Sequence, residues 1–296
     1  MTTNIAFIGL GIMGAPMAAN LLKAGFPVTG FDVSEERLSQ LEQQGGKRAA
    51  SVAEAVREAD TIITMVPDSP QVEQVALGED GILANAKSGA LYIDMSSIAP
   101  ATAQKVAAEG KERGIRVLDA PVSGGEAGAI EGNLSIMVGG DADDFAAAVE
   151  VFDVVGATFA HVGPAGSGQT VKAANQLIVA TTIEVVAEAL VFLEAYNVDT
   201  LAAVKVLAGG LAGNRILERK AAGMLAREFK PGFRIDLHHK DMGIVQNAAR
   251  EVGVVLPLGA IVGQLMASMR AQGHGGLDHT GLLKLVEQLS GRSSSS

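Results

Sequence analysis

The run Asn4-Ile5-Ala6-Phe7-Ile8-Gly9-Leu10-Gly11-Ile12-Met13-Gly14 leaves this chain few folds to choose from. Ile5 to Ile8 is apolar at every position, as a strand buried on both faces requires. Three glycines follow in the spacing G-x-G-x-x-G, and Pro16 to Lys23 then reads as a helix. In that order Gly9 permits a tight turn, Gly11 lets the backbone approach a pyrophosphate, and Gly14 lets helix and strand pack closely. The helix start offers unpaired N–H groups and a partial positive charge to phosphates. A glycine triplet alone also occurs in ordinary turns, so its surroundings decide. A second apolar run, Val28 to Phe31, ends in Asp32, 23 residues after Gly9. An acid there accepts hydrogen bonds from ribose hydroxyls and repels a 2′-phosphate. Val33, Ser34, Glu35 and Glu36 follow it, with no Arg among them. NAD is therefore the expected cofactor, with NADH preferred and NADP possible.

The rest of the first half alternates strand and helix. Ser34 can cap a helix running to about Gln44. Thr61 to Val66 reads as a strand stopped by Pro67, and Leu91 to Asp94 as another, ending in Met95-Ser96-Ser97. Pro100 to Arg113 reads as a helix, then Ile115 to Leu118 as a strand ending in Asp119-Ala120-Pro121-Val122-Ser123-Gly124-Gly125. A strand at 134–138 and a helix at 142–151 close the half. This alternation predicts an α/β Rossmann-type, doubly wound, mostly parallel sheet. After the connector Gly163-Pro164-Ala165-Gly166-Ser167-Gly168 the pattern changes. Gln169 to Tyr196 carries no Gly or Pro and predicts one long helix, roughly 40 Å at ~1.5 Å per residue. Helices are then expected at 201–207, 215–224, 240–251, 256–272 and 280–289. The expected division is a dinucleotide-binding domain over 1–163, an all-α domain over 164–291 opened by the long helix, and a disordered tail over 292–296.

Composition narrows the function classes. Lys plus Arg is 23 against 33 Asp plus Glu, a net charge of −10, which argues against a nucleic-acid surface. The chain has no Cys, which excludes disulfides, thiolate catalysis and zinc–cysteine sites. His238 and His239 are adjacent and lack the i, i+4 spacing of a metal pair, and His161, His274 and His279 are no better placed, so no metal is expected. The amino terminus has no basic region and its apolar residues belong to the fingerprint, so no signal peptide is expected. No apolar run is read as approaching the ~18 residues that span a bilayer. A soluble cytoplasmic protein without membrane or nucleic-acid partners is the expectation.

Four loops after strands carry the candidate chemistry: the glycine turn, Pro67 to Pro70, Ser96-Ser97 and Ser123-Gly124-Gly125. The last fits a nest for a carboxylate, and fits equally a glycine-rich bend into a following helix. On the long helix Lys172 and Asn175 are three apart and share a face. A lysine facing the sheet edge from there would be partly desolvated, which makes a lysine a usable proton donor near neutral pH. Asn175 would hold the reacting oxygen. A solvated helix lysine is the plainer alternative. Lys240-Asp241 sits in a charged stretch where Asp241 would be a helix-start acid, and Lys240 would reach a cofactor or substrate anion or simply face solvent.

Taken together and in order, Gly9-Leu10-Gly11-Ile12-Met13-Gly14-x-x-Met17, Asp119-Ala120-Pro121-Val122-Ser123-Gly124-Gly125, Lys172-x-x-Asn175 and Lys240-Asp241 resemble the β-hydroxyacid dehydrogenase (3-hydroxyisobutyrate dehydrogenase) family. The resemblance runs from about residue 4 to 290. The stretches 94–100, 209–213 and 230–238 are most similar to the branch that reduces tartronate semialdehyde. The resemblance implies an NAD(P)-binding Rossmann domain, an α-helical domain that carries subunit contacts in a dimer or tetramer, and an active site between them. It assigns catalysis to Lys172 with Asn175 as polar partner, and the substrate carboxylate to Ser123, Gly124 and Gly125. The cofactor falls to Gly9, Leu10, Gly11, Ile12, Met13, Gly14, Asp32, Met65, Val66, Pro67, Ser96 and Lys240. The implied activity is NADH-dependent reduction of tartronate semialdehyde to D-glycerate, a small carboxylate-bearing aldehyde going to a hydroxy acid. The alternatives are another β-hydroxy acid such as 3-hydroxyisobutyrate, a non-catalytic NAD-binding regulator, and an imine reductase.

Overall fold

Among the described residues there are nine strands, most of them short apolar runs bounded by turn residues: β1 (Ile5–Ile8), β2 (Val28–Phe31), β3 (Lys47–Arg48), β4 (Thr61–Thr64), β5 (Leu91–Asp94), β6 (Arg116–Asp119), β7 (Val122–Ser123), β8 (Leu134–Gly139) and β9 (Gly156–Gly163). The protein is described here by a computed structural model covering residues 3–292. The strands form one sheet in the order β3-β2-β1-β4-β5-β6-β8-β7, with β9 also paired to β8. The first six are parallel and in the order of a Rossmann sheet. β8 runs antiparallel to β6 and β7, and β9 runs parallel to β8.

Alternation along the strands sends side chains to both faces. Ile5, Phe7, Ile63 and Ile93 enter one core with Met17, Leu21, Leu38, Leu41 and Phe152. Ala6, Ile8, Ile62 and Tyr92 enter the other with Val56, Val72, Leu83 and Val106. The helices are α1 (Gly14–Lys23), α2 (Glu35–Gln43), α3 (Val52–Val56), α4 (Ser69–Leu77), α5 (Ile82–Asn85), α6 (Pro100–Glu112), α7 (Gly125–Glu131) and α8 (Ala142–Val155). The sheet is thus doubly covered, as the alternation predicted.

Several local expectations change. α1 begins at Gly14, two residues earlier than read, because Pro16 sits in the first turn, where an N–H has no intrahelical partner to lose. Ser34 occupies the N-cap of α2, but its side chain makes no capping bond; its N–H donates to Asp32 Oδ1 instead (2.9 Å). β4 stops at Thr64 rather than Val66. The helix read to 151 continues to Val155, and the half is closed by β9, an edge strand with mostly exposed small residues that lacks an apolar signature. Gly163 ends β9, so the connector is shorter than read.

The chain divides into two compact units between Lys172 and Ala173, inside α9 (Ser167–Ala195). The second unit continues with α10 (Thr200–Ala208), α11 (Arg215–Leu225), α12 (Ile235–Glu251), α13 (Pro257–Ala271), a 3-10 turn at His279–Gly281 and α14 (Leu282–Leu289). Its cores gather Ala180, Ile183, Met242, Val262, Met266 and Leu282, and Ala187, Leu190, Ala221, Met224 and Leu283. Arg227 ties Glu194 on α9 (2.7 Å) to Glu287 on α14 (2.5 Å). α12 begins five residues before the expected Lys240. Of the tail expected at 292–296, residues 293–296 lie outside the described residues, and the Arg292 N–H donates to the Glu287 carbonyl (2.8 Å).

The expectation that no segment is apolar enough to cross a membrane is corrected by α9. Its 29 residues include an 18-residue window of mean hydropathy 1.9. Within the protein 44% of that window is buried, and Ala180, Ile183, Ala187 and Leu190 supply core. Glu184 lies among them, buried with Oε2 unpartnered. Burial, reinforced by Glu188, pushes its carboxyl up to about 7. A group raised on folding contributes stability below its unfolded pKa and loses it as pH rises through the folded value. Glu184→Gln is therefore expected to leave stability near pH 5 little changed. Near pH 8 it should raise stability by on the order of 2 kcal/mol, read by denaturant unfolding at both pH values.

Candidate active site

The turns that follow β1, β4, β5 and β6 all lie at the carboxyl ends of neighbouring parallel strands, and Asp32 directly follows β2 beside them. Connections leave β1 in opposite directions there, which opens the crevice where open α/β sheets take ligands. Gly9 has φ +93°, and a Cβ on it would collide with the Met65 carbonyl. A Cβ on Gly14 would collide with the Gly9 carbonyl and stand 3.0 Å from the Phe7 ring. Over Gly11 the space is open: a Cβ there meets only Arg37 Nη1, at 3.8 Å. The turn is thus packed from below and clear above, which fits a dinucleotide pyrophosphate. Gly14→Ala is expected to cost about 1–3 kcal/mol by overpacking and to weaken NADH binding at least tenfold, read by thermal unfolding and NADH titration.

Asp32 is buried and held by backbone: the Leu10 N–H donates to Oδ2 (2.7 Å) and the Ser34 N–H to Oδ1. Arg37 Nη1 stands 3.4 Å from Oδ2 with its side chain 46% exposed. Arg37 lies beyond the run Val33 to Glu36 that follows Asp32 in the sequence, and the first turn of α2 carries it back to the carboxylate.

At the ends of β4 and β5 the backbone is fixed by buried polar groups. The Val66 N–H donates to Ser96 Oγ (3.0 Å), which sets the course of Met65-Val66-Pro67. Ser96 is fully buried, and its own N–H donates to Asp94 Oδ1 (3.1 Å). Thr64 Oγ1 donates to the same oxygen (2.6 Å), which leaves the Tyr92 hydroxyl to donate to Thr64 (3.0 Å). Burial pushes Asp94 up to about 6, against the bonds from Thr64 and Ser96. Its strand neighbour Asp119 is likewise pushed up to about 6 by burial, against N–H donors of Gly166 (2.7 Å) and Gln169 (2.9 Å). Gln169 then joins the strand ends to α9: its Oε1 accepts from the Ile98 N–H (3.1 Å) and its Nε2 donates to the Ser96 carbonyl (2.8 Å).

One turn along α9 from Gln169 comes Lys172. It is buried, so the solvated-lysine alternative falls, and its Nζ donates to the Val122 carbonyl (2.7 Å). Val122 adjoins Ser123, which ends β7. Gly124 (φ +143°) and Gly125 (φ +66°) then bend the chain into α7. The backbone makes the glycine bend, and the same bend carries Ser123-Gly124-Gly125 beside the lysine.

In the second unit Asn175 Nδ2 donates to Gln176 Oε1 (2.8 Å), and Gln176 Nε2 donates to Asp241 Oδ2 (2.6 Å). Asp241 Oδ1 lies 2.8 Å from Lys240 Nζ. Asp241 is therefore no helix-start acid: it is buried in the second turn of α12 and faces α9. The adjacent histidines do diverge. His239 lies beside Arg270 (3.1 Å), whereas His238 is fully buried, with Nδ1 3.0 Å from His279 Nδ1 and Nε2 3.2 Å from the Gln176 carbonyl. The sequence reading missed Gln169, Gln176 and the His238–His279 pair. A glutamine inside an apolar helix was the available signal for the first two.

Two family models match. Residues 4–163 fit the NAD binding domain of 6-phosphogluconate dehydrogenase, and 166–286 fit the NAD-binding domain of NADP-dependent 3-hydroxyisobutyrate dehydrogenase. The chain is 43% identical over 286 residues to the 2-hydroxy-3-oxopropionate reductase of Escherichia coli K12, covering 96% of this chain and 97% of that one. It is 38% identical over 296 residues to an NAD-dependent L-serine dehydrogenase of Pseudomonas aeruginosa, covering 98% and 99%. Among solved structures it resembles the Mycobacterium tuberculosis 3-hydroxyisobutyrate dehydrogenase with L-serine, at a TM-score of 0.89 and 35% identity, covering 97% and 99%.

Proposed function

The chain belongs to the 3-hydroxyisobutyrate dehydrogenase family of NAD(P)-dependent β-hydroxyacid oxidoreductases, and on that footing we propose that it reduces tartronate semialdehyde to D-glycerate with NADH. The observation that carries the chemistry is Lys172, buried at the head of α9 with its Nζ 2.7 Å from the carbonyl of Val122, next to Ser123-Gly124-Gly125. An ammonium so placed lies within reach of a substrate whose carboxylate is anchored on the neighbouring N–H groups. When bound, reduced nicotinamide would supply the hydride to the aldehyde carbon. Lys172 gives a proton to the oxygen as negative charge develops there, and Asn175 holds that oxygen. The substrate assignment is supported by the 43% identity to 2-hydroxy-3-oxopropionate reductase and by the stretches at 94–100, 209–213 and 230–238.

Cofactor binding is assigned to Gly9, Leu10, Gly11, Ile12, Met13, Gly14, Asp32, Met65, Val66, Pro67 and Ser96. Lys240 joins them on the strength of the family motif. The proposal divides function at 163/164, with 1–163 for cofactor and 164–291 for substrate and for assembly as a dimer or tetramer in the cytoplasm. Product analysis tests it. One D-glycerate is expected per NADH oxidised; L-glycerate, or NADH loss without glycerate, would contradict it.

A further inference from the structure

We infer that Gln176 is a positioning residue whose side-chain amide relays the Asp241–Lys240 ion pair to Asn175 and fixes which way the Asn175 amide faces. This rests on the reading of Asn175 as the group that holds the reacting oxygen. A carboxylate oxygen can only accept, so at 2.6 Å from Asp241 Oδ2 the partner atom of Gln176 must be its Nε2. Its Oε1 is thereby turned toward Asn175 and can only accept in turn. The Asn175 atom at 2.8 Å must then be Nδ2, whose second proton is left to donate to the reacting oxygen. The polarity of three successive groups is set by one charge. Gln176 and Asp241 are both buried, so no bulk water competes to scramble the order.

The backbone is pinned as well. The Gln176 carbonyl takes the 3.2 Å contact from His238 Nε2, and His238 is packed against His279 at 3.0 Å. Asp241 keeps its place through the ion pair with Lys240 at 2.8 Å. The ionisable groups recorded against Gln176 are Asp241 and, through it, Lys240 on α12, and His238 on α12. Packing alone does not call for this arrangement: leucine would fill the same volume without burying an amide.

Two variants and two readouts test it. Gln176→Leu should keep the fold and NADH affinity within about threefold. Its kcat should fall about 10–100-fold through misorientation of Asn175, with a smaller change in KM. The side-chain amide protons of Asn175, followed by nitrogen-15 NMR, should lose their protection from solvent exchange. Gln176→Glu sets a second carboxylate against Asp241, so the two share one proton. The protonated form rebuilds the relay, donating to Asp241 and accepting from Asn175. Its kcat should therefore match that of the unsubstituted enzyme at low pH and fall as pH rises, through an ionisation the unsubstituted enzyme lacks. A Gln176→Leu enzyme with kcat within twofold of normal, or a lowered melting point with kinetics unchanged, would reduce Gln176 to packing and overturn the relay. An enzyme inactive on every 3-oxo acid that carries the aldehyde at C3 would defeat the functional reading. The Asn175 exchange signal would still decide the relay, because it needs no turnover.

Discussion

Lys172→Ala is expected to lower kcat by about 10²–10⁴-fold, the usual worth of a general acid, while NADH binding stays within a factor of about three. Loss of the proton donor acts on the step where charge grows on the substrate oxygen. The glycine turn assigned to the dinucleotide lies at the end of β1 and is untouched. Removing the side chain also frees the Val122 carbonyl, which now accepts from Nζ at 2.7 Å, so some rise in KM through Ser123-Gly124-Gly125 is expected. Lys172→Arg separates charge from proton donation. It keeps the cation and should stay at least tenfold below normal, because a guanidinium yields its proton too reluctantly. Stopped-flow single turnovers read the chemical step directly. Near-normal turnover of the alanine variant would remove Lys172 from the mechanism.

Asp32→Ser should reverse the cofactor preference. With Asp32 assigned to the ribose, a 2′-phosphate would be set against its buried carboxylate, and two unit charges about 4 Å apart would cost about 4 kcal/mol at an effective dielectric of 20. Removing one is expected to raise the ratio of kcat/KM for NADPH to that for NADH by about 10²–10³. Serine still accepts from one of the two N–H groups that Asp32 now serves, Leu10 or Ser34. Arg37, released from its 3.4 Å contact with the carboxylate, becomes available to the phosphate. Asp32→Ser combined with Arg37→Ala should lose most of the gain in NADPH use while remaining weak with NADH. An unchanged ratio in the single variant would show that the preference is set elsewhere.

The parts of the site legible in the sequence were those written in local spacing. Gly9, Gly11 and Gly14 announced the turn by their spacing: a Cβ at Gly9 or Gly14 would collide with backbone, and Gly11 keeps the space above the turn open. Lys172 and Asn175 announced themselves as polar residues three apart in an apolar helix. What stayed hidden was long-range pairing of buried polar groups. Asp94 and Asp119 are 25 positions apart in different motifs, yet the sheet sets them side by side and burial raises both. His279 is 41 positions from His238, and no spacing rule links them. Asp241 was misplaced because α12 starts at Ile235, so a residue read at the helix start lies in its second turn. β9 was missed because an exposed edge strand of small residues carries no apolar pattern.

The central claim is the substrate. NADH oxidation should be followed by absorbance with tartronate semialdehyde and methylmalonate semialdehyde, and NAD reduction with L-serine, all with one preparation. The account predicts a kcat/KM for tartronate semialdehyde at least about tenfold above that for the methyl-branched acid, which corresponds to roughly 1.4 kcal/mol of discrimination at the substituted carbon. It also predicts only slow oxidation of L-serine. A preference for methylmalonate semialdehyde or for L-serine would contradict the assignment while leaving the family, the fold and the role of Lys172 in place.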